Sequence, residues 1–374
     1  MMQYKPKRVL LLYISQVSGH RHSAVAISKA LKELNSDCEI RSLNGFGYTF
    51  PLMEKVINTA YMGVIKRAPQ IWEYLYDNPK VIKASRKIKE SIHKSSHKKF
   101  KPLFDEFKPD VVVCTQAFPC GMVADFKKAN HLSVKVIGVL TDFAPHMYWL
   151  HEGVDYYVVP FEDAKKRYMN EGIKEGQIKV FGIPIRMKFA EQLDRKAIAH
   201  KLHLDIDIPT ILVMGGGQGL GPMKEAVKSL IDLKRQLQII VIAGTNLKLA
   251  QWIKKAQRKT SKKIIVYDYA NNVDELMEVA TLIITKPGGM TSSEVLAKGV
   301  PMVVIDPIPG QEERNADFLV KSGIAIRVND KKKIGHSVDA LLNNLDKLKS
   351  MREAALKYAK PHAAQDIARL VLSV

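Results

Sequence analysis

Cysteine is scarce in this chain. Its 374 residues include three, Cys38, Cys114 and Cys120, and no two of them form a C-x-x-C pair. That argues against structural disulfides and a cysteine-held zinc, and it fits a reducing compartment. Acidic residues are also in short supply. Thirty-eight Asp and Glu stand against 58 Lys and Arg, a net charge of +20. Such an excess implies an anionic partner, whether nucleic acid, a membrane surface or a phosphorylated substrate. No apolar run approaches the ~20 residues needed to cross a bilayer. The earliest, Val9–Ile14, is too short for the core of a signal peptide and runs into a polar loop. Internal repeats and low-complexity tracts are absent. Two common nucleotide signatures are missing as well. The stretch Gly215–Gly221 has no G-x-G-x-x-G register, which disfavours dinucleotides. Pro222-Met223 stands where the Lys-Ser/Thr of a P-loop would follow, which disfavours ATP hydrolysis.

What is present is a regular alternation of strand and helix patterns. A hydrophobic content of 46% is ample for sizeable cores, and the length suggests two domains at about 100–200 residues each. In the first half, strands are expected at Arg8–Ser15, Glu39–Asn44, Pro109–Thr115, Val134–Leu140 and Val154–Val159. Val180–Arg186 reads as a short strand passing into an extended link. In the second half, strands are expected at Thr210–Met214, Leu237–Ala243, Lys263–Tyr267, Leu282–Thr285 and Pro301–Ile305. This order predicts an α/β chain of two doubly wound parallel domains, residues 1–184 and 185–345. The C-terminal helix, from about 346 to 374, is expected to pack back on the first.

Polar loops follow several of these strands, which is where ligands bind in parallel sheets. After the first strand come Ser18, Gly19 and His20. A loop histidine, with an unperturbed pKa near ~6.5, suits proton removal from a hydroxyl. After the fourth come Asp142, His146 and Trp149. Gly215, Gly216, Gly217, Gln218 and Gly219 open the second half, ahead of a helix whose N-terminus can hold an anion. Asp205-x-Asp207 has the look of a metal-binding D-x-D, but it precedes its strand rather than following it and reads as structural. The densest stretch is Leu282–Asn315. There a strand meets Gly288 and Gly289, then a helix with Thr291 as N-cap and Glu294 three residues on. A second strand leads to Gln311, Glu312 and Asn315. Bare backbone at the glycines admits phosphates, and carboxylate and amide oxygens suit sugar hydroxyls. Thr291-x-x-Glu294 also reads as a capping box.

A different kind of segment lies between. Met53, Val56, Ile57, Ala60, Tyr61, Val64 and Ile65 form one apolar helix face. An aromatic patch with Trp72 and Tyr76 follows, then a basic helix carrying Lys83, Arg86 and Lys87 whose lone acid is Glu90. Together they predict contact with an anionic membrane surface.

Thr285-Lys-Pro-Gly-Gly-Met-Thr-Ser-Ser-Glu294 and Pro309-Gly-Gln-Glu-Glu-Arg-Asn315 resemble the nucleotide-sugar signature of the monogalactosyldiacylglycerol synthase and processive diacylglycerol glucosyltransferase group, in glycosyltransferase family 28. Ser18-Gly19-His20 matches the end of that group's G-x-G-H element, although Gln16 and Val17 fill the place of its first glycine. The run from Thr141 to Trp149 is similar too. The resemblance implies the GT-B architecture, two Rossmann-like domains facing across a cleft. It also implies a metal-independent inverting transfer from a UDP-hexose to diacylglycerol, with no cofactor; nucleic acid is disfavoured separately, since the chain has no RRM signature and no basic stripe interleaved with aromatics.

In that reading His20 is the base, with His146 a second candidate. Asp142 orients His20 or binds the acceptor hydroxyl. The donor is held by Gly215–Gly219, Tyr269, Gly288, Gly289, Thr291, Glu294, Gln311, Glu312 and Asn315, with Tyr269 framing the uracil. Trp72, Tyr76, Trp149, Lys83, Arg86 and Lys87 meet acceptor or membrane. The protein is then cytoplasmic, peripheral to the inner face of the cell membrane. Two alternatives stay open: transfer of N-acetylglucosamine to a polyprenyl-linked peptidoglycan precursor, and a membrane sensor that binds UDP-sugar without turnover.

Overall fold

The computed structural model describes residues 5–15, 18–54 and 79–374, with the side chains of 79–91 left out. The chain divides into two compact units. One comprises Met1–Met187, Ile308–Gln311 and Lys360–Val374, the other Lys188–Pro307 and Glu312–Ala359.

Each unit is built on a six-stranded, all-parallel sheet. The first contains β1 (Arg8–Tyr13), β2 (Glu39–Asn44), β3 (Val111–Cys114), β4 (Lys135–Val139), β5 (Tyr156–Val158) and β6 (Ile178–Lys179), in the order β2-β1-β3-β4-β5-β6. The second contains β7 (Thr210–Met214), β8 (Gln238–Ile242), β9 (Ile264–Tyr267), β10 (Leu282–Thr285), β11 (Met302–Ile305) and β12 (Ala325–Val328), in the order β12-β11-β10-β7-β8-β9. Helices cover both faces, so the inner strands read as unbroken apolar runs: Val9–Leu12 and Val111–Cys114 are fully buried, as are Ile211–Val213.

Both orders contain one reversal. In the first sheet it lies between β1 and β3, which pair from Val9↔Val111 to Leu12↔Cys114. In the second it lies between β7 and β10, paired from Leu282↔Ile211 to Thr285↔Met214. At such a point the following loops depart to opposite faces and leave room between them. The segments after β1 and β3, carrying His20 and Thr115, flank the first reversal. Those carrying Gly215–Gly219 and Lys286–Gly289 flank the second.

Three expectations are corrected. The return to the first unit begins at Lys360, not near 346. Helix Leu345–Tyr358 stays with the second unit, where Met351 and Leu348 join its core. Only helix Ala363–Ser373 crosses, laying Ile367, Ala368 and Val371 among Val9, Leu11 and Ile27. The last strand of the first sheet is Ile178–Lys179 and stops before the link. Gly182 in that link has φ of +96°, and a Cβ there would lie 2.4 Å from Cβ of Lys360, so the outgoing and returning chains are packed side by side. Finally, the second sheet has a sixth strand, β12, beyond Ile305 and at the edge.

The apolar face of the 51–65 segment lies outside the described residues beyond Glu54. Among the described residues, no helix is long and apolar enough to cross a membrane.

The returning helix is a structural clasp for the first sheet. Ile367 is fully buried. Ile367→Ala is expected to cost about 2–5 kcal/mol through lost burial and the cavity left, read as a lower urea midpoint with an unchanged slope.

Candidate active site

At the first reversal, β1 ends at Tyr13 and helix Gly19–Leu34 begins after the N-cap Ser18, whose side chain accepts from Arg21 N–H at 3.3 Å. The Ser18 hydroxyl also donates to the Ile14 carbonyl at 2.6 Å, fixing the turn. His20 is therefore the second residue of the helix and lies beside the end of β3. Its Nδ1 is 3.0 Å from the Thr115 carbonyl oxygen and 2.8 Å from Thr141 Oγ1. A carbonyl only accepts, so Nδ1 carries the hydrogen, and Thr141 turns its own hydrogen toward the same carbonyl at 3.3 Å. The neutral ring then has its unprotonated nitrogen at Nε2, the state a general base needs. The Thr115 hydroxyl donates to the His20 carbonyl at 2.9 Å, closing the link from both sides.

His20 is half-buried. Desolvation by the surrounding protein lowers its pKa from 6.5 to about 4, against the partial support of the Thr115 hydrogen bond. The sign for stability follows. The unfolded ring takes up a proton below 6.5 and the folded ring resists until about 4, so this group subtracts stability as pH falls through that window and has no effect above it.

The hydroxyl that reaches the ring belongs to Thr141, the residue before Asp142. His146, the second candidate base, is held differently. It caps the short 3-10 turn Met147–Trp149, and its Nδ1 accepts from Tyr148 N–H at 3.2 Å. That puts the hydrogen of its neutral ring on Nε2, the opposite tautomer from His20. Trp149, expected at the acceptor or membrane, is 8% exposed and packs in the core. Trp72 and Tyr76 lie outside the described residues. Lys83, Arg86 and Lys87 belong to helix Pro79–Phe107, but their side chains are likewise outside what is described.

At the second reversal, the turn after β7 is folded tightly on itself. Leu220 N–H donates to Gly215 O at 2.9 Å and Gly219 N–H to Gly216 O at 3.1 Å. Thr245 N–H, from the loop after β8, donates to Gly217 O at 3.0 Å. Gly219 is obligatory: its φ is +58°, and a Cβ would lie 2.0 Å from the Ala243 carbonyl oxygen. Gln218 is half-buried beside it. Helix Met223–Asp232 follows with no side chain capping its N-terminus.

The turn after β10 is the neighbour. Helix Gly289–Lys298 starts at Gly288 as N-cap, again without a side-chain cap. The expected N-cap Thr291 is instead inside the first turn, and Glu294 lies in the second, 9% exposed. Thr291-x-x-Glu294 is thus not a capping box, because two glycines let the helix begin earlier. Asn315 is fully buried and its amide donates to the Pro287 carbonyl at 3.0 Å, so it holds the glycine turn in place. Glu312, in the first turn of helix Gln311–Lys321, lies 3.3 Å from the Lys286 ammonium. Tyr269, after β9, is 60% exposed, open to a planar ligand.

Lys286, Thr115 and Thr141 are the site residues that sequence reasoning passed over. Lys286 stands in the signature stretch and follows a strand, which was the available signal. Asp205 and Asp207 form a local turn, with Asp207 N–H donating to Asp205 Oδ1 at 3.0 Å. Among the described residues no group of three or more His, Cys, Asp or Glu is placed to hold a metal ion.

A family model described as monogalactosyldiacylglycerol (MGDG) synthase matches residues 20–185, and one for the glycosyltransferase family 28 C-terminal domain matches residues 210–371. The chain is 31% identical over 370 residues to the processive diacylglycerol beta-glucosyltransferase of Bacillus mycoides (strain KBAB4), covering 99% of this chain and 94% of that one. It is 31% identical over 373 residues to the protein of the same name from Bacillus anthracis (strain CDC 684 / NRRL 3495), with the same coverage. Among solved structures, MurG of Acinetobacter baumannii superposes with a TM-score of 0.67 at 17% identity, covering 99% of this chain and 100% of that one. The calicheamicin glycosyltransferase CalG4 gives 0.64 at 12% identity, with 99% of each chain covered. At those identities the two structures establish the fold alone, and the fold is GT-B.

The opposed ring states are directly observable. Nitrogen NMR at neutral pH is expected to find His20 protonated on Nδ1 and His146 on Nε2. The same tautomer in both would contradict the hydrogen-bond assignment.

Proposed function

The chain belongs to glycosyltransferase family 28, in the monogalactosyldiacylglycerol synthase group, and from that membership we propose that it transfers a hexose from a UDP-sugar to a hydroxyl of diacylglycerol, making membrane glycolipid. The observation that best supports a catalytic rather than a sensing role is the His20 ring, held by Thr115 and Thr141 with Nε2 unprotonated.

The chemistry is a single displacement. The acceptor oxygen attacks the anomeric carbon, Nε2 of His20 takes the hydroxyl proton, and the bond from that carbon to the diphosphate oxygen breaks. One displacement inverts the anomeric centre, so an α-linked donor gives a β-glycoside. The curated relatives are named for beta-glucosyl transfer, which favours UDP-glucose as the donor here.

UDP is assigned to the second unit. Backbone N–H groups of the Gly215–Gly219 turn and the N-terminus of helix Gly289–Lys298 meet the diphosphate charge. Tyr269 frames the base, and Thr291, Glu294, Gln311 and Glu312 serve the ribose and hexose hydroxyls. No metal takes part in this scheme, since helix termini and a lysine supply the positive potential that a divalent ion supplies elsewhere. Asp142 is left as a partner for the acceptor hydroxyl. The basic helix Pro79–Phe107, together with the net charge of +20, is assigned to an anionic membrane surface at the inner face of the cell membrane.

Purified protein given diacylglycerol in anionic vesicles, and UDP-glucose, UDP-galactose or UDP-N-acetylglucosamine in parallel, is expected to form β-glucosyl lipid. His20→Ala should lose about 10²–10⁴-fold in turnover while binding UDP as the parent does. UDP binding without product from any donor would contradict the proposal.

A further inference from the structure

Lys286 is the side chain that both glycine turns of the second unit share. It follows β10 directly and is 8% exposed. Its stem runs along the end of the other turn: a Cβ on Gly221 would lie 3.5 Å from Lys286 Cδ and 3.6 Å from Cγ. Its ammonium is 3.3 Å from Glu312 Oε2, with the two side chains 10% and 15% exposed. The other carboxylate oxygen, Oε1, lies 4.0 Å from where a Cβ on Gly288 would be, at the open N-terminus of helix Gly289–Lys298. A carboxylate therefore lies beside the buried ammonium, between the two glycine turns.

Burying an ion pair is costly, and an apolar pair of similar volume often stabilises a fold more. Structural need is therefore a weak reason for a charge pair here. A ligand that brings its own negative charge supplies a better one. Resting on the assignment of UDP-sugar to this unit, we propose that Lys286 and Glu312 are an exchange pair. When the nucleoside diphosphate sugar binds, the Lys286 ammonium passes from Glu312 to the diphosphate. The released Glu312 carboxylate then accepts hydrogen bonds from the hexose hydroxyls. After transfer, UDP lacks the hexose that occupied Glu312. The carboxylate reclaims Lys286 and so promotes release of UDP. No covalent bond changes in the exchange.

The signs of two substitutions separate this from a merely structural pair. UDP binding is measured by calorimetry, and UDP-hexose kinetics by glycolipid formation. Glu312→Gln frees Lys286 permanently. It is expected to bind UDP about tenfold more tightly while its kcat/KM for UDP-hexose falls by about 100-fold. Lys286→Met is expected to bind UDP at least about tenfold more weakly. Glu312→Asp, which loosens the pair without removing the charge, should tighten UDP by a smaller factor and serves as the second variant should the amide fail to fold. Weaker UDP binding in all three variants, or UDP affinity unchanged by Glu312→Gln, overturns the exchange. Absence of UDP binding by the parent protein would instead overturn the assignment of UDP to this unit, and the exchange with it.

Discussion

Parallel pairing is the constraint from which the chemistry follows. A parallel strand is reached only by a crossover, so every strand in a sheet delivers its carboxyl end to the same edge. A sheet wound outward in two directions has one point where adjacent strands send their loops to opposite faces. Here that point falls between β1 and β3 in one sheet and between β7 and β10 in the other. His20 and Thr115 flank the first, and the two glycine turns flank the second. The site residues are far apart in sequence because the reversal joins strands that are not consecutive: His20 and the Thr115 carbonyl are 95 residues apart and hydrogen-bonded.

The two reversals are given opposite electrostatic characters. The first keeps one ring uncharged. Packing around His20 disfavours the imidazolium, and no carboxylate takes the Nδ1 hydrogen, so a backbone carbonyl and a threonine hydroxyl fix the tautomer without stabilising the cation. The result is a weaker base than a solvated histidine, but one that is unprotonated across the whole physiological range. The second reversal concentrates positive potential in backbone N–H groups, two uncapped helix N-termini and one buried ammonium. Each unit by itself thus offers one chemical feature, an unprotonated ring nitrogen in the first and uncapped backbone N–H groups beside a buried ammonium in the second.

Much of this was legible in the residues. Ten of the strands were readable as apolar runs, because burial on both faces leaves a parallel strand little freedom to alternate. The glycine turns were readable because nothing else fits a positive φ beside another backbone, as at Gly219. The rest depended on partners distant in sequence. His20 and His146 both look like loop histidines after strands. Only their hydrogen-bond partners, a distant carbonyl for one and a neighbouring N–H for the other, set their tautomers apart. Thr291-x-x-Glu294 has the spacing of a capping box, yet Gly288 let the helix start before it. β12 escaped notice because Arg327 interrupts a four-residue edge strand whose two central positions are only half-buried. Lys286 was hidden by abundance: in a chain with 58 basic residues, one lysine carries no signal until its burial is known.

The central claim is that a histidine kept neutral by burial accepts the acceptor's proton. The most direct measurement is the pH dependence of kcat/KM for glycosyl transfer, which reports the free enzyme's essential base, with circular dichroism at each pH to confirm that the chain stays folded. The account predicts a rate that is flat through 6.5 and falls only as pH approaches about 4. A fall centred near 6.5 would mean that the ring titrates as if solvated, and would contradict it.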